Sequence, residues 1–210
     1  MGRSGSGKTY SLKNFTPEEI GVVSVEKGRL PFKSEIQVAR IPKDFDNAKD
    51  YATLNRSKYA WLEQVIKTAN KKAIAIDDSQ YLLVNELFDR AFEKGYDKYV
   101  QMASNFRNLI HAINEMEDEE KIVYFLHHTE SDSDGREKVK TIGKMLDEKL
   151  TVEGCFDIVI YCQDHKFFTQ SNGQSTAKTP EGMFELEIPN DLKMVDTAIR
   201  EYYGLNEGDK

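Results

Sequence analysis

Long apolar runs, excess positive charge and cysteine are all scarce or missing in this 210-residue sequence. No apolar run approaches the ~20 residues that cross a bilayer, and the first residues form no signal peptide, so the sequence predicts a protein of the cytoplasm rather than of a membrane. Lys and Arg number 29 against 36 Asp and Glu, a net charge of -7. That balance excludes a global attraction to nucleic acid or to an anionic membrane, so any DNA contact must be local. The two cysteines, Cys155 and Cys162, lie seven apart in an apolar run. An odd offset on a strand puts them on opposite faces, which excludes a disulfide between them and predicts buried thiols in a reducing compartment. Internal repeats and low-complexity linkers are also missing. With 39% hydrophobic residues, residues 1–210 read as one domain.

What is present is an alternation of short apolar runs with longer helical segments, the pattern of an α/β domain with a mostly parallel sheet flanked by helices. The runs are Gly21–Val25, Ala73–Ile76, Ile122–Leu126 and Phe156–Tyr161. Between the second and third, Tyr99, Ala103, Phe106, Ile110 and Ile113 recur at helical steps, with Met102, Leu109 and Met116 alongside. After the fourth run, His165–Gln170, a turn at Ser171-Asn172-Gly173 and an extended piece through Thr176 predict a C-terminal β-hairpin. Pro189-Asn190-Asp191 then opens a final helix that Gly204 stops near Tyr203. The acidic stretch Glu115, Glu117, Asp118, Glu119 and Glu120 reads as a solvated helix end rather than a metal site.

The most specific signal is at the start. Gly2-Arg3-Ser4-Gly5-Ser6-Gly7-Lys8-Thr9 satisfies G-x-x-x-x-G-K-[ST], the phosphate-binding loop of nucleotide-binding proteins. Its glycines allow positive φ so that successive amides point at phosphates, with a following helix adding its dipole. Lys8 would reach the β- and γ-phosphates of ATP, and the Thr9 hydroxyl would bind Mg2+. Such a loop normally hangs from a β-strand, yet only Met1 precedes it here. The expectation is either an upstream β-branched strand or a sheet that has closed up or stays gapped. Without that strand, two strands should expose backbone edges inside the core and the loop should be anchored on one side only.

A nucleotide site of this type needs an acid beside magnesium and a group that activates water. Asp77 ends an apolar strand at the carboxyl edge, where ligands of open α/β sheets bind, and is the magnesium-side residue. Asp78 is either a base or the cap of the following helix. Glu26, directly after the first run, is the preferred general base, against the reading of an ordinary loop glutamate. His127 and His128 end the third run and would sense the γ-phosphate by hydrogen bonding. Adjacent histidines point to opposite sides of a strand, and no cysteine or spaced carboxylate completes a tetrahedral metal set around them. The polar segment from Ser131 to Gly154 carries Arg136, Lys138, Lys140 and Lys144 among acidic residues, and reads equally as a solvated loop or a nucleic-acid contact. Lys178 is a surface lysine or a cation offered to a neighbouring subunit's phosphates.

Taken together, Gly2–Thr9, V-V-S-V-E-K-G, I-A-I-D-D-S-Q, F-L-H-H-T-E, T-I-G-K-M-L-D-E-K-L-T-V-E-G and the tail S-T-A-K-T-P-E-G-M-F with I-P-N-D-L resemble the phage-encoded, RecA-like nucleotide-binding proteins of the core-only single-strand annealing group. The resemblance implies a RecA-like P-loop ATPase core using ATP and Mg2+. It also implies binding to single-stranded DNA as a homo-oligomer, and promotion of annealing or recombination during phage replication in the host cytoplasm. On the same basis Glu26 corresponds to the water-activating glutamate, Asp77 to the magnesium-side aspartate, and His127 and His128 to the polar sensor pair. Residues 131 to 144 correspond to a DNA-binding loop, and Lys178 to a trans-acting cation. The rival from another class is a non-catalytic accessory protein that binds nucleotide or DNA and recruits partners such as a single-strand-binding protein. A small-molecule phosphotransferase is disfavoured, because no arginine-rich lid is visible.

Overall fold

The computed structural model describes residues 1–26, 28–45, 48–143, 147 and 150–205. Four parallel strands form the main sheet in the order β2-β1-β3-β4: β1 (Ile20–Ser24), β2 (Val38–Arg40), β3 (Ala73–Asp77) and β4 (Ile122–Leu126). Three of them are apolar runs predicted above, whereas β2 has no such signature. The register pairs Ser24 with Asp77 and Asp77 with Leu126, so the carboxyl ends of three strands share one edge.

Both faces of β3 are buried, which is why its sequence is continuously apolar. On one face Val23, Ile74 and Ile76 pack against α1 (Tyr51–Thr68), α2 (Tyr81–Asp89) and α3 (Asp97–Asn114) through Leu62, Ile66, Leu83, Phe106 and Ile110. On the other, Val22, Ala73 and Ala75 meet α4 (Leu192–Tyr203) through Leu192, Val195 and Ile199. The ends of α4 follow the sequence reading. Asp191 accepts from the Lys193 and Met194 amides, and Gly204 closes the helix with φ 68.

Two small antiparallel sheets complete the fold. One is the hairpin β5 (Thr129–Ser131) and β6 (Glu137–Val139). The other has the order β7 (Tyr161–Gln163), β8 (Lys166–Phe168), β9 (Glu187–Pro189). The C-terminal hairpin is therefore β7–β8, turning at Asp164 and His165 rather than at 171–173. Of the expected strand over 156–161, only Tyr161 is in a regular ladder, while Val159 makes an isolated bridge to Lys178.

The sheet stays gapped beside β4. Met1 and Gly2 span the upper end of that gap: the Met1 amine donates to Ile160 O at 2.7 Å, Cys162 N donates to Met1 O at 2.7 Å, and Gly2 N donates to His127 O at 3.0 Å. The loop is thus anchored on both sides, not on one as expected, because two residues suffice to make the last rung in each direction.

Candidate phosphate-binding site

Residues Gly2–Thr9 leave that rung and curl over the carboxyl edge of the sheet. Ser6 N donates to Arg3 O at 3.2 Å, and Ser6 O accepts from His165 N at 3.0 Å. Gly7 has φ 106, and a Cβ there would lie 2.3 Å from Asn190 Nδ2 and 2.7 Å from His165 Nδ1, so only glycine fits. Gly2 is required for a different reason from the expected one, since a Cβ would meet Cys162 O at 2.3 Å. The following helix is shorter than expected: Thr9–Asn14 is a six-residue 3-10 segment, so little macrodipole can accumulate.

Among the described residues the amides of Gly5, Gly7, Lys8 and Thr9 donate to no protein acceptor, and the buried Ser6 hydroxyl has no partner. An anion with several acceptor oxygens fits that set of donors. Lys8 is 7% exposed, and its Nζ donates to Gly2 O at 2.8 Å and Arg3 O at 2.9 Å. Burial lowers its pKa, opposed by the charge of Asp78. To reach a phosphate, Lys8 exchanges two neutral carbonyls for charged oxygens, which form stronger bonds.

Thr9 Oγ1 donates to Asp77 Oδ1 at 2.8 Å, which brings together the two residues expected to hold magnesium. Burial raises the Asp77 carboxyl, whereas the hydrogen bond from His128 lowers that of its neighbour Asp78. Asp78 adopts φ 58, and its Oδ1 lies 3.1 Å from His128 Nε2. Its side chain therefore faces His128 and does not cap α2, where no side-chain cap is made. Glu26 follows β1 at the same edge, beside the Val25 N to Asp77 O bond of 3.1 Å, and its Oε1 accepts from Asn85 Nδ2 at 2.9 Å.

His127 is not available as a phosphate sensor. Its Nε2–H donates to Lys140 O at 2.7 Å, so Nδ1 accepts from the Ser79 hydroxyl at 2.9 Å, and burial drives its pKa down to about 3. Both ring nitrogens of a neutral imidazole are committed, and only its backbone carbonyl touches the loop.

Arg3 leaves the loop toward the β5–β6 hairpin. It bonds Glu137 and donates to Ser131 Oγ at 2.9 Å. That arginine, with Thr129 and Ser131, holds the Glu137 carboxyl down at about 2. The cations on this hairpin are paired: Arg136 Nε with Asp132 at 3.2 Å, and Lys138 Nζ with Asp147 at 2.5 Å and Glu130 at 3.2 Å. Lys140 is exposed, and Lys144 lies outside the described residues. Lys178 is half-buried away from the loop's hydrogen-bond network, its backbone exchanging two 2.8 Å bonds with Val159.

Asn85, His165, Asn190 and the Arg3–Glu137 pair were not anticipated. Asn190 Nδ2 donates to Gly7 O at 3.0 Å, although Pro189-Asn190-Asp191 reads in sequence only as a helix start. Among the described residues no cluster of three His, Cys, Asp or Glu side chains could hold a metal by itself, and no helix is long and apolar enough to cross a membrane. Compared with models of known protein families and with curated proteins, the chain finds no match.

Proposed function

We propose that this chain is a RecA-like P-loop ATPase that binds magnesium-ATP at Gly2–Thr9 and acts on single-stranded DNA in phage annealing or recombination. The observation that carries the nucleotide reading is the loop itself, with four undirected amides and a buried lysine next to the Thr9–Asp77 pair. Gly5, Gly7, Lys8 and Thr9 amides, with Ser6, cradle the phosphates. Lys8 would meet the β- and γ-phosphate oxygens, and Thr9 and Asp77 would hold the hydrated metal. Magnesium, when bound, neutralises charge on the phosphate oxygens. Glu26 accepts the proton of the attacking water once its carboxylate leaves Asn85.

The DNA reading draws on the resemblance and on the hairpin. Arg3 ties the phosphate loop to the strand pair that carries Lys138 and is followed by Lys140, a contact through which nucleotide would reposition a DNA-facing loop. Lys178 would serve a neighbouring copy in a homo-oligomer on DNA. The bond between Asn85 and Glu26 favours a second reading, a nucleotide-binding accessory protein without turnover.

Single-turnover ATP hydrolysis with and without single-stranded DNA separates the two. Hydrolysis that DNA accelerates is the expected result. Binding without turnover under both conditions replaces it by the accessory reading, and absence of nucleotide binding overturns both.

A further inference from the structure

We infer that Arg3 senses the terminal phosphate of the bound nucleotide: Glu137 of the β5–β6 hairpin holds its guanidinium, a triphosphate takes it from that carboxylate, and a diphosphate leaves it there. The inference rests on the nucleotide reading above and adds the residue that tells the two ligands apart. Arg3 is suited to this because its main chain and its side chain face different partners. Its carbonyl accepts from Lys8 Nζ at 2.9 Å, while its Nε donates to Glu137 Oε1 at 3.1 Å and its Nη2 to Ser131 Oγ at 2.9 Å.

The bond to Lys8 fixes the reach. Through the carbonyl and one hydrogen bond, Arg3 Cα lies within roughly 5 Å of Lys8 Nζ. An extended arginine carries its Nη atoms roughly 7 Å from Cα, so a phosphate oxygen bonded to Lys8 is within its range. The Arg3 side chain is 66% exposed, against 7% for Glu137, so no packing locks it in place. In a loop of this kind the lysine meets the β- and γ-phosphates. A triphosphate would thus end on the Lys8–Arg3 side, and a diphosphate would stop one phosphate short of it.

Glu137 releases the arginine without being stranded. Its Oε2 accepts from Thr129 Oγ1 at 2.5 Å and its Oε1 from Ser131 Oγ at 2.8 Å, both hydroxyls of the same hairpin. A buried carboxylate that keeps two donors avoids much of the cost of losing its ion pair. The hairpin keeps its own anchors as well, since Glu137 N donates to Gln174 O at 2.8 Å and Thr176 N to Glu137 O at 3.0 Å.

On the arginine's side the exchange is favourable. A terminal phosphate carries more charge than a carboxylate and meets the planar guanidinium fork with two oxygens. Lys8 moves with it: when Nζ turns from the carbonyls of Gly2 and Arg3 to the phosphate, the Arg3 peptide loses its tether to that lysine. Both cations of the loop are parked on protein acceptors, and one ligand releases both.

The test is calorimetric titration of the full chain and two variants with magnesium and either a non-hydrolysable ATP analogue or ADP. Arg3→Ala should lower affinity for the analogue about tenfold and for ADP by no more than about twofold. Glu137→Gln removes the competing charge, and should raise affinity for the analogue by about threefold or more with a smaller change for ADP. A merely structural tie moves both variants in the same direction, whereas a shared arginine moves them in opposite directions. Weaker analogue binding by both variants, or equal loss of the two nucleotides in Arg3→Ala, overturns the inference while the wild type's own binding keeps the nucleotide site. No saturable binding of either nucleotide by the wild type overturns the nucleotide reading and this inference with it. Should Arg3→Ala not fold, Glu137→Gln decides alone: a gain confined to the analogue supports the shared arginine, and its absence overturns it.

Discussion

Lys8 and the cations of the β5–β6 hairpin lie on two regions linked by Arg3, yet their charges are held in opposite ways. Lys8 is buried against two backbone carbonyls, and the carboxylates of Asp78 and Asp77 at the sheet edge favour its charged form without bonding to it. Arg136 and Lys138 are partly exposed and bonded directly to carboxylates. A cation held by neutral groups passes to an anionic ligand by exchanging partners, and gains in charge-assisted bonding. A cation already facing a carboxylate must first lose that partner, and a surface pair of this kind leaves little field for DNA. On the proposed reading, the loop Gly2–Thr9 receives an anion locally, in a protein whose net charge of -7 repels anions at long range.

The largest expected effect is at Glu26. Glu26→Gln should retain magnesium-ATP binding and lower single-turnover hydrolysis by roughly 100-fold, with Asp78→Asn lowering it less. The reverse order would transfer the base to Asp78, whose carboxyl is already held low by His128.

On the hairpin, the comparison predicts unequal lysines and arginines. Lys140→Ala should reduce the slope of log affinity for single-stranded DNA against log salt by about 0.7, the contribution of one phosphate contact. Arg136→Ala and Lys138→Ala should each reduce it by less, because carboxylates offset their charge. Equal losses at all three would mean that the ion pairs open on DNA, which erases the distinction between the two regions.

The smallest effect concerns the link between the regions. Glu137 is held at about 2, below its ordinary 4.5, chiefly by its bond to Arg3. The unfolded chain therefore binds the extra proton between these values. The stabilising contribution is complete above about 4.5 and is lost as pH falls toward 2. Thermal unfolding followed from pH 6 to pH 2 should show that loss in the wild type, and Glu137→Gln should lack it. An identical acid profile in both proteins would show that Arg3 does not tie the loop to the hairpin.

The parts of the fold visible in sequence were those whose signal is local. β1 and β3 are apolar because both of their faces are covered, the edge strand β4 is an unbroken apolar run although half-buried, and α4 announces itself through Asp191 and Gly204. β2 is three residues long and has no buried side chain, which leaves no periodicity to read. The C-terminal hairpin was misplaced because its turn uses Asp164 and His165 at φ 50 and 58 without a glycine, while Gly173 at φ 86 marks a loop that turns no hairpin. At the site, Lys8, Thr9 and Asp77 were legible from motif and strand end. Asn190, His165 and Glu137 reach the loop from 130 or more residues away along the chain, and no local pattern encodes such contacts.

The most direct measurement is calorimetric titration of magnesium-ATP into the wild-type chain and into Lys8→Ala under identical salt and pH. Saturable binding by the wild type, weakened at least tenfold in the variant, about 1.4 kcal/mol or more, is the expected result. Equal affinity in the two proteins, or no binding by either, would contradict a nucleotide site at Gly2–Thr9.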